Sequence, residues 1–455
     1  MSGLAPPSVV QLQPRHRFRN MFAGVVLLGL FILSVVLPNS LKEFSISLLI
    51  LSALILPLLS GLAIFRNRYF LFLLFSIPIT VLYLVIGYQN GAPDAALVQI
   101  PIIYILTPIL WGVVCCAVRS LLSPKAVVSW LIAGIWLCGL TVMYFFVAFL
   151  TFGPDAVSLF AAEPNLGASA EGYVTVPTAP NLGVTVEGFV AATMQVYGSL
   201  IFLTGGLFAA PDAIRNRPLR LLTIGIAIAM ALTSGRSALI LAIPIGILVY
   251  GLGMLRGRDG RFSAAMPVKV IFTVLGSAAV VASVTLIFSY FLNWNLGVDL
   301  NRVLEKLSVS GDEERKAQVT YLLNGIFESN GLGVGHGVPA SVIRLPQFPW
   351  RYELLWFATV YRVGIIGAAV YAMPFVIALW RGGGSLVRGQ LSVYERFIFG
   401  GFVSAFAASN SNPYLEGYVF QWMVILPLVY FLAAGRIGGL SQGHATPGRA
   451  RLIPP

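Results

Sequence analysis

The chain has 455 residues, of which 58% are hydrophobic and only 10% are charged, and its mean hydropathy is +0.86. A water-soluble domain of this size needs more charge to cover its surface, so the composition excludes one and predicts a membrane protein. The net charge of +12 is spread over many short segments, which argues against a nucleic-acid-binding patch. The three cysteines lie in apolar runs and predict neither a disulfide framework nor a metal site.

The apolar runs predict an all-α fold, because a helix needs roughly 20 apolar residues to cross the hydrocarbon layer of a bilayer. By this rule the chain is a polytopic membrane protein with about twelve transmembrane helices. No small-residue cleavage pattern follows the first run, so we expect a retained span and no removed signal peptide. The predicted spans are 21–38, 45–65, 69–87, 98–118, 126–150, 188–210, 219–234, 237–255, 269–291, 354–380, 396–409 and 416–434.

The distribution of Lys and Arg predicts the orientation of these spans. With the N-terminus in the cytoplasm, the cytoplasmic segments hold 20 of the 29 basic residues but only 3 of the 17 acidic residues. Both termini are therefore expected in the cytoplasm. The predicted organisation is a cytoplasmic tail (1–20), transmembrane helices 1–9 (21–291), a large periplasmic loop (292–353), transmembrane helices 10–12 (354–434) and a second cytoplasmic tail (435–455).

The first long outer loop, 151–187, contains no Lys or Arg. An imperfect tandem repeat begins in it, PNLGASAEGYV at 164–174 and PNLGVTVEGFV at 180–190. Two copies are too few for a solenoid, so a local duplication is the simplest explanation.

The large periplasmic loop is predicted to contain an amphipathic helix from about Gly311 to Glu328. A capping box at its start and the pair Asn330–Gly331 at its end set these limits. Arg315 lies one turn before Val319 and shares the apolar stripe of the helix. Because a charge on an inward face needs a partner, we expect Arg315 to have a structural or functional counter-group.

Arg236 is a candidate anion-binding residue, because Ser234 and Arg236 immediately precede the predicted start of a helix. Free backbone N–H groups and the helix dipole attract anions there, and a guanidinium adds a full charge. The alternative is an interfacial arginine that extends to the membrane surface.

The end of the large loop combines a histidine, an acid and several cations. His336 stands among four alternating glycines, where a lone histidine is more often structural than catalytic. Arg344, Arg351 and Arg362 surround Glu353 in the sequence, which is either a general base or an ion-pair partner of an arginine. Arg362 lies inside a predicted span, where an ionisable residue is a functional candidate.

Several arginines are thus expected on the outer side, where positive charge is otherwise scarce. Such a group suits a phosphate or diphosphate, and a lipid-linked diphosphate would reach it from the membrane. The candidate diphosphate-binding residues are Arg236, Arg315, Arg344, Arg351 and Arg362.

A set of short motifs resembles the O-antigen ligase and polymerase family of bacterial integral-membrane glycosyltransferases, over roughly residues 180–430. Arg315 lies early in the large loop, as one of the family's two important arginines does, and Arg236 matches the other. The other matching pieces, in order, are Pro180–Asn181, SGRSAL at 234–239, GLGVGHG at 331–337, GIIG at 364–367 and NPYL at 412–415.

The resemblance implies a GT-C-like fold in the bacterial inner membrane with a periplasmic active site. It implies transfer of a glycan from a polyprenyl-diphosphate-linked oligosaccharide to a sugar acceptor, without a metal, nucleotide or other cofactor. Membrane lipid, chain-length regulators and export proteins are the further partners expected, and nucleic acid is not. The supporting residues implied are Ser234, Asn181, Asn412 and Tyr414.

One departure from the family favours a polymerase. Ligases typically carry a His-Asn pair about eleven residues before the G-x-x-G motif, and Glu353 and Leu354 stand in that place here. The base is then Glu353 or, alternatively, His336. Two other functions stay open, an O-antigen ligase acting on lipid A–core and a transporter or flippase of lipid-linked sugars. The dissimilar halves of the chain and the one-sided position of its candidate charges favour an enzyme over a transporter.

Overall fold

The computed structural model describes residues 24–38, 42–152, 186–233, 237–254, 313–343, 348–410 and 413–433. Within these ranges all regular structure is helical and there is no strand, which confirms the all-α prediction. The described helices are α1 (Gly24–Val36), α2 (Lys42–Ser60), α3 (Arg68–Gln89), α4 (Asp94–Leu121), α5 (Pro124–Phe152), α6 (Val186–Ala209), α7 (Arg217–Thr233), α8 (Ser237–Met254), α9 (Glu313–Glu328), α10 (Leu355–Val387), α11 (Val393–Ala408) and α12 (Trp422–Phe431).

Five of the described helices are long and apolar enough to cross a membrane, namely α2, α3, α4, α5 and α10. Helices α1 and α12, and the apolar parts of α6 and α8, are shorter. These helices are compatible with a membrane protein. The total of about twelve spans stays a prediction, and the predicted span 269–291 lies outside the described residues.

Helix α12 differs from the sequence prediction at its start. A span was expected from 416, but the helix begins at Trp422. Residues Tyr414–Glu416 instead form a 3₁₀ turn directly after Pro413. The apolar pattern could not reveal this boundary, because the turn is held by polar contacts with distant helices.

The outer surface of the helices is apolar, as a lipid-facing surface must be. Leu58 of α2 is 80% exposed, and Ile366 and Trp380 of α10 are 71% and 77% exposed. In water such side chains would favour aggregation, whereas in a bilayer they contact acyl chains at no cost.

The centre of the bundle is formed by α6, α8 and α11, which cross at small residues. A Cβ atom on Gly205 of α6 would overlap Ser404 Oγ of α11, and one on Gly400 would overlap the Cβ of Ala209. The absence of side chains at these two glycines allows the two backbones to approach closely, which is how helices associate where no water drives them together.

A second, smaller hydrophobic core lies outside the main one. It consists of Leu322 of α9, Ala340 and Tyr352 of the following segment, and Ala358 and Tyr361 of α10. We call residues 313–343 and 348–361 the cap. Helix α9 confirms the predicted amphipathic helix, and it ends where Asn330 and Gly331 adopt left-handed backbone conformations, with φ angles of 50° and 71°.

Candidate functional site

The candidate site forms where the cap meets α3, α4 and α10, and it depends on a break in α10. Gly364 has φ 65° and ψ 179°, values that interrupt the helical backbone. The break leaves the carbonyls of Tyr361 and Arg362 without their helical donors. They accept hydrogen bonds instead from the backbone N–H groups of Val334 and Gly335, each at 2.9 Å.

The backbone of the glycine-rich segment Gly331–Gly337 thus lies between α10 and α3 and hydrogen-bonds to both. We call this segment the wedge. On its other side, the N–H of His336 donates to the Tyr83 carbonyl at 2.8 Å. Gly335 has φ 103°, and a Cβ atom there would overlap the backbone nitrogen of Gly87. Only glycine fits this position, so the motif first of all holds the cap against the bundle.

The centre of the site is a buried ion pair that joins α10 to the turn before α12. Arg362 donates through Nη1 to Glu416 Oε1 and through Nη2 to the Trp350 carbonyl. Tyr104 of α4 donates to the same Glu416 oxygen at 2.7 Å and accepts from Arg362 Nη1 at 3.2 Å. Arg362 is 2% exposed and Glu416 is 8% exposed, so this pair is closed to bulk water.

Arg351 lies beside this pair without a carboxylate of its own among the described residues. Its Nη2 donates to Gln99 Oε1 at 2.9 Å, and its guanidinium carbon lies 4.5 Å from the Phe348 ring centroid. Burial lowers the pKa of Arg351, and the charge of Arg362 lowers it further against the opposing effect of Glu416. Within the described part of the chain, Arg351 therefore lies near a carboxylate that already pairs with Arg362.

Both guanidinium groups keep an unused donor. The Nε atoms of Arg351 and Arg362 are buried and have no hydrogen-bond partner among the described residues. A buried N–H group without an acceptor is costly, so the Nε of Arg351, the less buried of the two residues, is suited to an anion that enters the site.

Arg315 has the counter-group that its inward position predicts. Its Nε donates to Glu353 Oε2 at 2.8 Å, and the two side chains are 18% and 14% exposed. The backbone N–H of Glu353 donates to Gln318 Oε1 at 3.1 Å, which fixes the acid beside α9. The ion-pair alternative for Glu353 is thus present, and the pair is partly accessible, unlike Arg362 and Glu416.

His336 is buried, and its hydrogen bonds define its tautomer. Thr80 donates its only hydroxyl hydrogen to the Ser76 carbonyl, so Tyr371 donates to Thr80 at 2.7 Å. The Tyr371 oxygen then accepts from His336 Nε2 at 3.0 Å. His336 Nδ1 is left as a buried acceptor with no partner among the described residues.

The environment of His336 keeps it neutral. Burial and, to a smaller extent, the charge of Arg362 lower the pKa of His336 from 6.5 to about 3. Its ring centroid lies 4.9 Å from that of Tyr104, so it packs against the central ion pair. This is the structural role that a lone histidine most often has.

The structure brings together only some of the predicted site residues. Segment 350–353 connects the Arg315–Glu353 pair to the Arg362–Glu416 pair, because the Trp350 carbonyl bonds to Arg362 and Glu353 pairs with Arg315. We call the residues of both pairs and their neighbours the polar cluster, namely Arg315, Arg351, Arg362, Glu353, Glu416, Tyr104 and His336. Tyr414 lies near it in the 3₁₀ turn, but its ring packs edge-on against Phe420 at 5.5 Å between centroids. Five predicted residues lie outside the described residues, namely Asn181, Ser234, Arg236, Arg344 and Asn412.

Glu416 and Tyr104 were not among the predicted site residues. Glu416 follows NPYL, where the sequence pattern indicates an ordinary turn. Tyr104 is one of many aromatic residues in the predicted spans. One feature of the sequence did point to a missing acid, because Arg362 lies inside a predicted span and requires a counter-charge.

An apolar cavity of about 500 Å³ extends from the polar cluster along α3, α10 and α12. Tyr104 and Leu415 line its near end, and Leu379 and Leu428 line the part furthest from the cluster. Tyr104 therefore belongs to both the cavity and the polar cluster. Tyr371, which hydrogen-bonds to His336, also lines the cavity, so the cavity meets the cluster at two tyrosines, and no charged residue is among the described residues that line it.

No family model matches the chain, and no curated protein and no solved structure matches it either. The fold defines an all-helical protein with helices compatible with a membrane.

Proposed function

We propose that this protein is a polysaccharide polymerase of the O-antigen or exopolysaccharide type. It transfers a glycan from a polyprenyl-diphosphate-linked donor to a lipid-linked sugar acceptor at the periplasmic face of the inner membrane. The observation that carries the proposal is the surplus positive charge of the polar cluster beside an apolar cavity. A ligand with a diphosphate and a long apolar chain is complementary to both.

In the described part of the cluster, the cations outnumber the acids that pair with them. Glu353 compensates Arg315 and Glu416 compensates Arg362, which leaves Arg351 uncompensated. Arg351 is partly buried and its Nε atom is closed to solvent, so an uncompensated charge there is unfavourable unless a counter-ion approaches it. A diphosphate would supply that counter-ion and bind guanidinium groups by charge-assisted hydrogen bonds. Arg236 and Arg344 are expected to add to this charge.

In the proposed reaction an acceptor hydroxyl oxygen forms a bond to the anomeric carbon of the donor sugar. The bond from that carbon to the diphosphate oxygen breaks, and its electron pair leaves with the diphosphate. Arg351, through its unused Nε donor, stabilises the charge that develops on the leaving oxygen. Arg362 is closed off by Glu416 and Trp350, so its role is to position the turn and the cap around Arg351.

The proton of the acceptor hydroxyl passes to Glu353 in this proposal. Glu353 is partly exposed at the edge of the cluster, whereas His336 is 1% exposed. A histidine whose pKa is lowered to about 3 is a weak base at neutral pH, where a general base works best with a pKa near the ambient pH. The burial of His336 and its lowered pKa therefore argue against His336 as the base, and the exposure of Glu353 favours Glu353.

The direct test is to incubate the purified full-length protein with lipid-linked repeat units alone. We expect a ladder of longer glycans on the lipid, separated by gel electrophoresis. Product that forms only when lipid A–core is added would support the ligase instead. If neither substrate gives a product, the glycosyl-transfer proposal is wrong.

In the same assay we expect Arg315→Ala and Arg236→Ala to abolish polymer formation while the protein is still produced. Glu353→Gln should reduce the rate by about 10²-fold or more, as loss of a general base does, and His336→Ala should reduce it far less. Arg388→Ala is the matched control, because Arg388 is exposed and lies beyond the far end of α10. The reverse order for the Glu353 and His336 variants would make His336 the base.

A transporter of lipid-linked sugars is the second candidate, and the break of α10 at Gly364 favours it. Interrupted membrane helices commonly bind the cargo of secondary transporters. Reconstitution in liposomes separates the two functions. Movement of an intact lipid-linked unit between leaflets, without any longer glycan, would support the transporter and exclude the polymerase.

A further inference from the structure

The end of the cavity furthest from the polar cluster lies next to a second set of arginines. Arg381 of α10 donates through Nη2 to the Ala433 carbonyl at 3.0 Å. Arg119 of α4 donates to the Val429 carbonyl at 3.4 Å and lies 5.6 Å from the Tyr430 ring centroid. Arg68, at the start of α3, is close enough to Arg381 for their charges to repel each other. We call Arg68, Arg119 and Arg381 the distal arginine group.

The distal arginine group has no carboxylate partner within 4 Å among the described residues. Glu395, an acid near Tyr430, is already engaged, because it closes the capping box of α11. Each arginine carries five N–H donors, and the contacts to the end of α12 use one donor each in Arg119 and Arg381. Arg68 uses none in a hydrogen bond to a described residue. Positive charge and donors therefore remain for an external anion.

The helices also connect the distal arginine group to the cavity. Arg68 lies four residues before Phe72, which lines the cavity, and so shares its helix face. Arg381 lies seven residues after Pro374, which lines it as well. Leu428, another lining residue, directly precedes Val429, whose carbonyl accepts from Arg119. A ligand could thus place a charged group on the arginines and an apolar chain in the cavity.

We propose that the distal arginine group and the adjoining end of the cavity bind an anionic glycerophospholipid. Its phosphate lies between Arg68 and Arg381, and one acyl chain enters between Phe72, Leu379 and Leu428. The Lys and Arg distribution predicts this end to face the cytoplasm, where basic pockets between helices bind anionic headgroups. A free phosphate would satisfy the arginines but would leave the apolar cavity unfilled. This proposal does not depend on the proposed glycosyl transfer, whose charged group lies at the opposite end of the same cavity.

The test is thermal unfolding of the purified full-length protein in detergent with added phosphatidylglycerol, phosphatidylcholine or inorganic phosphate. We expect phosphatidylglycerol alone to raise the melting temperature. Equal stabilisation by phosphatidylcholine would overturn the role of the arginines. Equal stabilisation by inorganic phosphate would overturn the role of the acyl chain and leave an adventitious anion site.

Three variants locate the site. Arg68→Gln should weaken the apparent affinity for phosphatidylglycerol about fivefold, and Arg68→Gln with Arg381→Gln should weaken it on the order of tenfold or more. Leu379→Trp should weaken it too, because the indole fills the acyl position while the arginines remain. Arg388→Gln, which removes an exposed arginine away from the cavity, should leave it unchanged.

Arg68→Gln should not disturb folding, because Arg68 is exposed and donates to no described residue. A loss of lipid binding in this variant is therefore decisive. If Arg388→Gln weakens binding as much as Arg68→Gln does, the effect is general surface charge and the proposed site is wrong. If Leu379→Trp has no effect, no acyl chain enters the cavity at this end, and the proposal fails as well.

Discussion

The two ends of the cavity both collect arginines, but the protein treats them differently. At the polar cluster, Arg362 is almost fully buried and is held by a carboxylate, a tyrosine and a backbone carbonyl. In the distal arginine group, Arg119 and Arg381 are half-buried, and among the described residues they donate hydrogen bonds only to carbonyls at the end of α12. The difference follows burial, because a charge removed from water needs an opposite charge, whereas a partly solvated one needs only a dipole.

Arginine has two uses in this protein, structural and ligand-binding, and the two look the same in the sequence. A cation with a buried acid partner mainly holds elements together, and one without such a partner is available to a ligand. By this criterion Arg351 is available at one end and Arg68 at the other, while Arg362 is structural. The following substitutions test the structural side of this comparison at and around the polar cluster, beginning with the largest expected effect.

Glu416→Gln should be the most damaging change at the polar cluster. It leaves Arg362 buried without a counter-charge, which we expect to reduce the free energy of unfolding by about 4 kcal/mol. The measurement is the thermal or denaturant unfolding of the purified protein in detergent. The double variant Arg362→Met with Glu416→Leu is the control, because it removes both charges and should recover most of that loss. Comparable instability of the two variants would contradict the ion-pair explanation.

Gly335→Ala tests the wedge that joins the cap to the bundle. The added methyl group would overlap the α3 backbone at Gly87, and the residue has a left-handed φ of 103°, so we expect a loss of about 3 kcal/mol. Gly91→Ala is matched to it, with φ 82° but nothing within 4 Å of the new atom. Gly91→Ala should lower the free energy of unfolding by only about 1 kcal/mol, which is the cost of a left-handed backbone conformation in a residue other than glycine. Similar losses in unfolding measurements would show that contact with α3 does not matter.

His336 should produce the smallest of the three effects, and only in acid. Its pKa is about 3 in the folded protein against 6.5 for an unperturbed histidine, so the unfolded chain binds the proton between these values. Stability therefore falls as the pH decreases from 6.5 towards 3, with about 2 kcal/mol lost at pH 5. His336→Gln can still donate to Tyr371 but cannot titrate, so its stability should depend less on pH in this range. An unchanged pH dependence would show that His336 is not held neutral.

Much of the fold could be predicted from the sequence, because span length and hydropathy are local properties. The predicted span 69–87 corresponds to α3, 237–255 to α8, and the amphipathic helix of the large loop to α9. The start of α12 could not be predicted, since Glu416 interrupts the helix through contacts with Tyr104 and Arg362. Those partners lie far away in the sequence, and no local pattern indicates them.

The candidate site was predictable only where one residue implied a partner. The inward position of Arg315 predicted a counter-group, and Glu353 is that group across 38 residues of sequence. Arg362 implied an acid as well, but nothing in the sequence distinguished Glu416 from other acids of the outer turns. The glycines of GLGVGHG suggested tight turns, whereas their use as a wedge required knowledge of the break at Gly364.

The apolar side chains of the described residues form three clusters, and one of them lies within the cap. Leu322, Tyr352 and Tyr361 belong to this cluster and, within the described part of the chain, not to the large core of the bundle. A region with its own core can open as a cooperative unit while the rest stays folded. Trp350 of the cap also packs on Ala96 and Ile100 of α4, so opening the segment that carries Arg351 and Glu353 would release this contact with α4 while the large core stays intact.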